Sequence, residues 1–470
     1  MVSARKAGRT RSQPWRIVWH DTADLRLARD DLALSEQRSV WRLEPLLPSA
    51  DPRAAAWPPG APPPVLAEAG DAAALTESLP VRAVASCEGS LRSLVLQADE
   101  STVSVAVLDA VLRTVTRHVP VGRVWLDGED AACAALALAL AEQIGLAVPT
   151  ASLAGEALAA VMADTAKPRR FGAPALPPEA EPAEAFAHIV GHLADVILYW
   201  APRAVARDGT EPVHQMRVAL RRLRAGLSVF RRAVGGPSFD AVAGEARHLA
   251  ALLGPARDWD VFCAETGAAV LAAFGDDKAV ARLIAAAERR RKDAYAELTA
   301  FLGGAAFRGF GIRLAVLAGG TAWQAELTAE QQEMLSADMA AFAGRVLNRR
   351  LKRVLEAGDE IGMLDAPSLH RVRLDGKRLR YAAEMFAPLF DRKETRRFLR
   401  RLTDLQETLG TLNDGAVATT LMAELAGPRP GAERAFAAGV VRGFVAAKGG
   451  AARKEIVQAW EKFRRVEPFW

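Results

Sequence analysis

The chain has 470 residues, half of them hydrophobic and a quarter charged, with a formal net charge of +5. That length and apolar content call for two or more domains with true cores and exclude an intrinsically disordered chain. Three cysteines, Cys87, Cys133 and Cys263, stand in no CxxC or other ligand spacing, which excludes a disulfide framework and points to a reducing compartment.

The opening MVSARKAGRTRSQPWRIVWHD is basic and lacks the apolar core of a signal peptide. The most apolar run, residues 131–148, is interrupted by Glu142 and reads as a buried helix, too weak to span a bilayer. A soluble cytoplasmic protein is expected. Charge is unevenly spread. Residues 1–179 carry 18 Lys+Arg against 21 Asp+Glu, and residues 180–470 carry 43 against 35. A polyanionic partner is therefore to be sought in the C-terminal part.

Taken in chain order, β-branched and alternating runs predict strands at 13–21, 39–47, 81–89, 91–99, 101–115 and 123–128. The proline-rich residues 51–65 read as a loop, and 167–182 as an interdomain linker. From residue 183 the pattern is helical throughout. The expected organisation is a multidomain α+β chain: a mixed domain over 1–166, the linker, and an all-α domain over 183–470 in two repeats, about 183–330 and 331–470.

One helix shows an unusual charge pattern. In VHQMRVALRRLRAGLSVFRR, residues 213–232, a 100° turn per residue sets His214, Arg217, Arg221 and Arg224 in one stripe. Met216, Leu220, Leu223, Leu227 and Phe230 form the opposite, packing face. Like charges at this spacing repel by roughly 0.2–0.5 kcal/mol per pair, and no acidic residue in the segment relieves them. Taken alone, this would be a solvated face. However, the segment recurs 156 residues later: LHRVRLDGKRLRYAAEMF puts His370, Arg373, Lys377, Arg378 and Arg380 at the offsets of His214, Arg217, Arg221, Arg222 and Arg224. The same shift pairs Gly254 with Gly410 and Asp258 with Asp414. Two segments related by one shift imply a duplicated helical unit. A stripe kept in both copies points to a function.

The doubled H-x-x-R-x-x-x-[RK]-R-x-R segment, with its later L-G-x-x-[RN]-D turn, resembles the CHAD family, the conserved-histidine α-helical domain, over about residues 183–470. That resemblance implies two four-helix bundles related by a pseudo-two-fold axis, with a basic groove between them that binds inorganic polyphosphate. By motif position the role falls on His214, Arg217, Arg221, Arg222, Arg224, His370, Arg373, Lys377, Arg378 and Arg380. The chemistry agrees, because a flexible chain of negative charge without bases or apolar surface needs a concave array of cations, and arginine forks fit phosphate oxygens. Arg349 and Arg353, in GRVLNRRLKRVLE, and Arg400 and Arg401, in RKETRRFLRRL, are added to the track. Asp258 and Asp414 are read as helix caps or arginine-orienting groups. For His214 and His370, a contact to the anion and a structural hydrogen bond stand as equal readings. No metal and no cofactor is expected.

Residues 19–44 resemble the CYTH family through Asp21, Thr22, Asp24, Leu25, Leu27 and Leu34. This resemblance implies an antiparallel tunnel that hydrolyses triphosphates with a divalent metal. The E-x-E-x-K signature is absent, the first glutamate being Glu36. Gly122, Arg123 and Val124 stand where a second metal-binding pair belongs. Among Asp21, Asp24, Asp30 and Asp31, a solvated loop is expected rather than replacement ligands. The domain is thus read as degenerate and non-catalytic. The leading function is non-enzymatic polyphosphate binding, with location at polyphosphate granules or the nucleoid. The alternatives are a triphosphatase in the N-terminal domain and a general polyanion or nucleic-acid binder. The second is disfavoured by the scarcity of aromatic residues among the basic motifs. Oligomeric state is not legible.

Overall fold

The computed structural model describes residues 4–6, 9–46, 76, 79–98, 101–162, 174, 176, 179–320, 322–448 and 453–470, with the side chains of 4–6, 98 and 411–416 left aside. The loop at 51–65 and most of the stretch at 167–182 lie outside the described residues. Contacts divide the chain into two compact units. One comprises Met1–Pro174, Ala187–Leu198 and Gly304–Glu326; the other comprises Ala175–Phe186, Tyr199–Gly303 and Leu327–Trp470. As the sequence implied, the fold is α+β, with an antiparallel sheet followed by helices.

The sheet strands are β1 (Ala4–Lys6), β2 (Arg11–Asp21), β3 (Leu32–Gln37), β4 (Val40–Pro45), β5 (Arg82–Ala98), β6 (Ser101–Thr114) and β7 (His118–Gly128). They run in the order β4-β3-β2-β5-β6-β7, with β1 added beside β5, and every pair is antiparallel. An antiparallel sheet here agrees with the CYTH-like reading. The two strands expected at 81–89 and 91–99 are joined in the single strand β5, Arg82–Ala98, residue 99 lying outside the described residues. Gly89 is not a turn. A side chain there would collide with the Asp109 carbonyl and Ala110 across the β5–β6 pair, so the glycine permits close backbone approach.

Each face of β6 is covered by a different helix. Leu108, Ala110 and Leu112 pack with Trp19, Cys87 and helix α3 (Leu153–Val161). Val103 and Val105, on the opposite face, pack with Leu136 of α2 (Asp130–Gln143). Of α2 itself, only Leu136 and Ala141 are buried, so this helix is less enclosed than its apolar sequence suggests.

The Asp-Thr-x-Asp-Leu motif has a local structural role. Asp21 is fully buried and its carboxylate accepts from the backbone N–H groups of Thr22, Leu27 and Ala28 at 2.7, 3.0 and 2.9 Å. It thereby satisfies the start of the short helix α1 (Arg26–Arg29). Thr22 donates to Asp24 at 2.7 Å. The expected solvated loop is corrected for Asp21, whose oxygens are taken up by backbone donors.

The helices that follow are α4 (Pro182–Val205), α5 (Glu211–Val234), α6 (Pro237–Val261), α7 (Ala268–Phe274), α8 (Lys278–Leu302), α9 (Ala305–Gly319), α10 (Ala329–Leu335), α11 (Met339–Ala357), α12 (Ala366–Phe386), α13 (Arg392–Ala426), α14 (Ala432–Lys448) and α15 (Arg453–Arg464), with a π-helical segment, Phe262–Gly267, between α6 and α7. Asp277, Asp338, Asp365 and Asp391 cap α8, α11, α12 and α13 through their side chains, each typically worth about 1 kcal/mol. No single helix among the described residues is long and apolar enough to cross a membrane.

The duplication is visible in the structure. Shifting the starts of α4, α5, α6 and α8 by 156 residues lands within two residues of the starts of α11, α12, α13 and α14. The same shift carries Phe186 onto Phe342 and Phe230 onto Phe386, and these four rings pack together. Ring centroids are 5.4 Å apart for Phe186–Phe230, 6.3 Å for Phe342–Phe386, 5.1 Å for Phe230–Phe342 and 6.5 Å for Phe230–Phe386. The predicted packing face of α5, from Met216 to Phe230, is buried throughout.

Candidate functional site

Because the apolar faces of α5 and α12 are drawn into this aromatic core, their polar stripes are brought side by side. The two helices meet at Tyr381, whose ring lies 5.4 Å from the Arg221 guanidinium and 5.5 Å from that of Arg380. Lys377, one turn before Tyr381, is influenced by Arg373, Arg221, Arg380 and Arg217. Five of the predicted cations thus form one cluster drawn from both copies of the motif. Among the described residues, Asp258 lies 3.3 Å from Arg217 and Glu384 lies 3.4 Å from Arg380.

The cations in this cluster are strained electrostatically. Burial, then the surrounding guanidinium groups, push Lys377 down from 10.5 to about 8. Arg221 is depressed for the same reasons. Half-buried like charges held close together are costly, and for Lys377 the penalty is at most a few kcal/mol once solvent screening is allowed for. An arriving polyanion removes that penalty.

His214 is half-buried, and desolvation followed by the nearby Arg257 lowers its pKa, so the imidazole is neutral at neutral pH. His370 is exposed. Arg217 is positioned by the second motif: a side chain on Gly254 would lie 3.4 Å from its guanidinium, and Asp258, one turn on, pairs with it. Asp258 lies inside α6 and orients an arginine rather than capping a helix. In the second copy, nothing among the described residues lies within 4 Å of where a Gly410 side chain would be, and the Asp414 side chain lies outside the described residues. There Gln406 fills the space left by Gly376 and donates to the Arg373 carbonyl at 3.2 Å. In the first copy the equivalent positions are Leu220 and Ala250.

The remaining predicted residues divide. Arg222 is half-buried beside Arg221, and Arg224 is exposed near Arg247. Arg378 turns away from the cluster, pairs with Asp375 at 2.7 Å, and lines a separate pocket of about 370 Å³ with Arg349 and Arg353. That pocket also takes Arg231, Arg232 and Arg350, which sequence reasoning missed. Arg350 donates to the Arg378 carbonyl at 2.9 Å and to Ser228 at 3.2 Å. Burial and the adjacent arginines lower it to about 10. Arg401 pairs with Asp404 at 3.6 Å and Arg400 is exposed, and among the described residues neither is seen to touch the cluster or the pocket.

Tyr381 and Arg257 were also missed, although Arg257 is the arginine of the L-G-x-x-R-D turn. His188 and His192 form an H-x-x-x-H pair on α4, with ring centroids 6.5 Å apart; sequence reasoning passed over this spacing as well. Among the described residues, no three or more His, Cys, Asp or Glu side chains gather as a metal site.

Comparison with known proteins bears on this arrangement. No curated protein matches the chain. Among solved structures, the CHAD domain from the plant Ricinus communis is similar over 64% of this chain and 98% of that one, with 30% identity and a TM-score of 0.53. PptA from Streptomyces chartreusis is similar over 61% of this chain and 99% of that one, at 19% identity and a TM-score of 0.44, a level that fixes nothing further. The model of the CHAD domain family matches residues 188–423, half of the chain. That span contains both histidine–arginine helices and the turns that follow them, and the chain belongs to the CHAD family.

Proposed function

We propose that the α5–α12 cluster binds inorganic polyphosphate without catalysis. The observation that carries this reading is the convergence of Arg217, Arg221, Arg373, Lys377 and Arg380 from both motif copies into one cluster. An anion there must bring dense charge and little else, since the aromatic ring that lies against Arg221 and Arg380 is that of Tyr381, which is itself buried. Base stacking needs exposed aromatic platforms, which disfavours nucleic acid. Affinity comes from many modest contacts and counterion release, as an exposed pair gives only about 0.2–1 kcal/mol. Arg222 and Arg224 flank the cluster, and Arg400 and Arg401 are the outermost members proposed for the track. The reading places the protein in the cytoplasm, at polyphosphate granules or the nucleoid.

The test is calorimetric titration of long-chain polyphosphate into the full chain, since residues 187–198 and 304–326 pack with the N-terminal unit and a C-terminal fragment would divide it. Saturable binding with a steep salt dependence, weakened at least tenfold by Arg221→Gln with Lys377→Gln while helicity is unchanged, is the expected result. An unchanged affinity in that variant, or equal displacement by single-stranded DNA at matched phosphate concentration, would overturn it.

A further inference from the structure

The arginine pocket between α5, α11 and α12 does not belong to the doubled motif. Shifted back by 156 residues, Arg349, Arg350 and Arg353 fall on Leu193, Ala194 and Ile197, all buried apolar residues. Shifted forward, Arg231 and Arg232 fall on Ala387 and Pro388. The alignment is firm here, because the same shift superposes the helix starts and the core phenylalanines. The pocket is therefore a feature of one repeat only. It is lined by six guanidinium groups and one carboxylate, Asp375, already engaged by Arg378, while Arg231 also pairs with Asp240 at 3.1 Å outside the lining. Arg350 sits deepest; among the described residues its hydrogen bonds go to a carbonyl and a hydroxyl, and the opposing charge acting on it is that of Asp375, which Arg378 already engages. A half-buried guanidinium crowded by like charges and sharing one carboxylate is costly, and the second repeat carries three arginines in one helix where the first repeat has core residues.

We infer that this pocket is a second anion site, built for a compact, multiply charged phosphate such as pyrophosphate or tripolyphosphate, free or as the end of a chain. Size and charge both fit. A volume of about 370 Å³ is far more than one water needs and leaves room for a compact anion of a few phosphoryl units. Planar forks converging from three helices suit the several oxygens of a terminal phosphate. The inference stands whether or not the α5–α12 cluster binds polyphosphate.

Calorimetric titration of pyrophosphate into the full chain at low salt tests it. One saturable site is expected, weakened at least tenfold by Arg349→Gln with Arg353→Gln, both exposed and outside the core, and changed less than twofold by Arg289→Gln, a charge control on α8. Lys377→Gln, which alters the neighbouring cluster, should weaken long-chain binding while shifting pyrophosphate affinity less than twofold. Absence of saturable pyrophosphate binding below millimolar concentration would overturn the inference. So would equal weakening by Lys377→Gln and by the Arg349/Arg353 pair, which would mean one shared site. Displacement of pyrophosphate by long chains with free ends, but not by chains capped at both ends, identifies the chain end as the natural occupant, and displacement by neither identifies the free anion. Equal displacement by capped chains would make the pocket a stretch of polymer track and overturn the compact-anion reading.

Discussion

Arg217 and Asp258 join the two halves of the first motif: the guanidinium from the histidine–arginine helix lies 3.3 Å from the carboxylate that follows the Leu-Gly turn. Gly254, one turn earlier, leaves the space this pairing needs. In sequence the two segments are only a recurring pair of patterns. In space, one positions the other.

That pairing sets a prediction with a definite sign. Asp258 holds a negative charge against an arginine of the proposed site, so Asp258→Asn should tighten polyphosphate binding at low salt. It should also steepen the slope of log affinity against log salt by about 0.7, one additional neutralised phosphate. Arg217→Gln should make the slope shallower by about the same amount. Titrations at several salt concentrations check both.

Lys377 gives the binding a pH dependence. Its folded value, about 8, is below the ordinary 10.5 because of burial and then the guanidinium groups beside it. The free folded protein therefore binds fewer protons here than the unfolded chain between pH 8 and 10.5. The destabilisation is fully present below pH 8 and is relieved as pH rises through that window. The polyanion prefers the charged form, so affinity should fall as pH rises above about 8, by roughly two- to fivefold for one contact. Lys377→Arg should abolish that step. Affinities measured from pH 6.5 to 9.5 decide it.

In the N-terminal sheet, Glu44 on β4 is raised by burial from 4.5 to about 7. The folded state favours its protonated form, so the carboxylate costs nothing below pH 4.5. The cost grows between pH 4.5 and 7 and is complete above that. Glu44→Gln should therefore raise thermal stability at pH 8, by at most roughly 3 kcal/mol, and leave it unchanged near pH 4.5.

The four phenylalanines at the centre of the helices predict a large effect. Phe230→Ala or Phe386→Ala should each lower stability by about 3–5 kcal/mol. The double variant should depart from additivity, because the rings touch. Denaturant unfolding followed by helical circular dichroism provides the measurement.

The helical region was the most legible part of the chain. A 3.6-residue period is strong evidence over two dozen residues, and a fixed shift of 156 made the stripes of α5 and α12 stand out from ordinary solvated faces. Other features were hidden for physical reasons. Gly89 reads as a break, although it marks a close backbone contact inside β5. The strand Leu32–Gln37, preceded by Asp30 and Asp31, lacks the β-branched run that would announce it. Arg350 escaped because it occurs in one copy and its burial depends on Ser228 and Arg378, which are distant in sequence. Tyr381 looked like one more packing residue, since nothing local shows that Arg221 lies across its ring.

The phenylalanine contact has the form of an isologous interface: equivalent residues of two related units meet one another, as subunits do across a dimer axis. In a true homodimer every substitution appears on both sides, so a pocket of six arginines would have to be built twice, with twice the electrostatic cost. Joining the two units into one chain removes that constraint. One copy can keep Leu193, Ala194 and Ile197 as core while the other carries Arg349, Arg350 and Arg353. Covalent linkage has turned a symmetric scaffold into one whose halves are free to diverge.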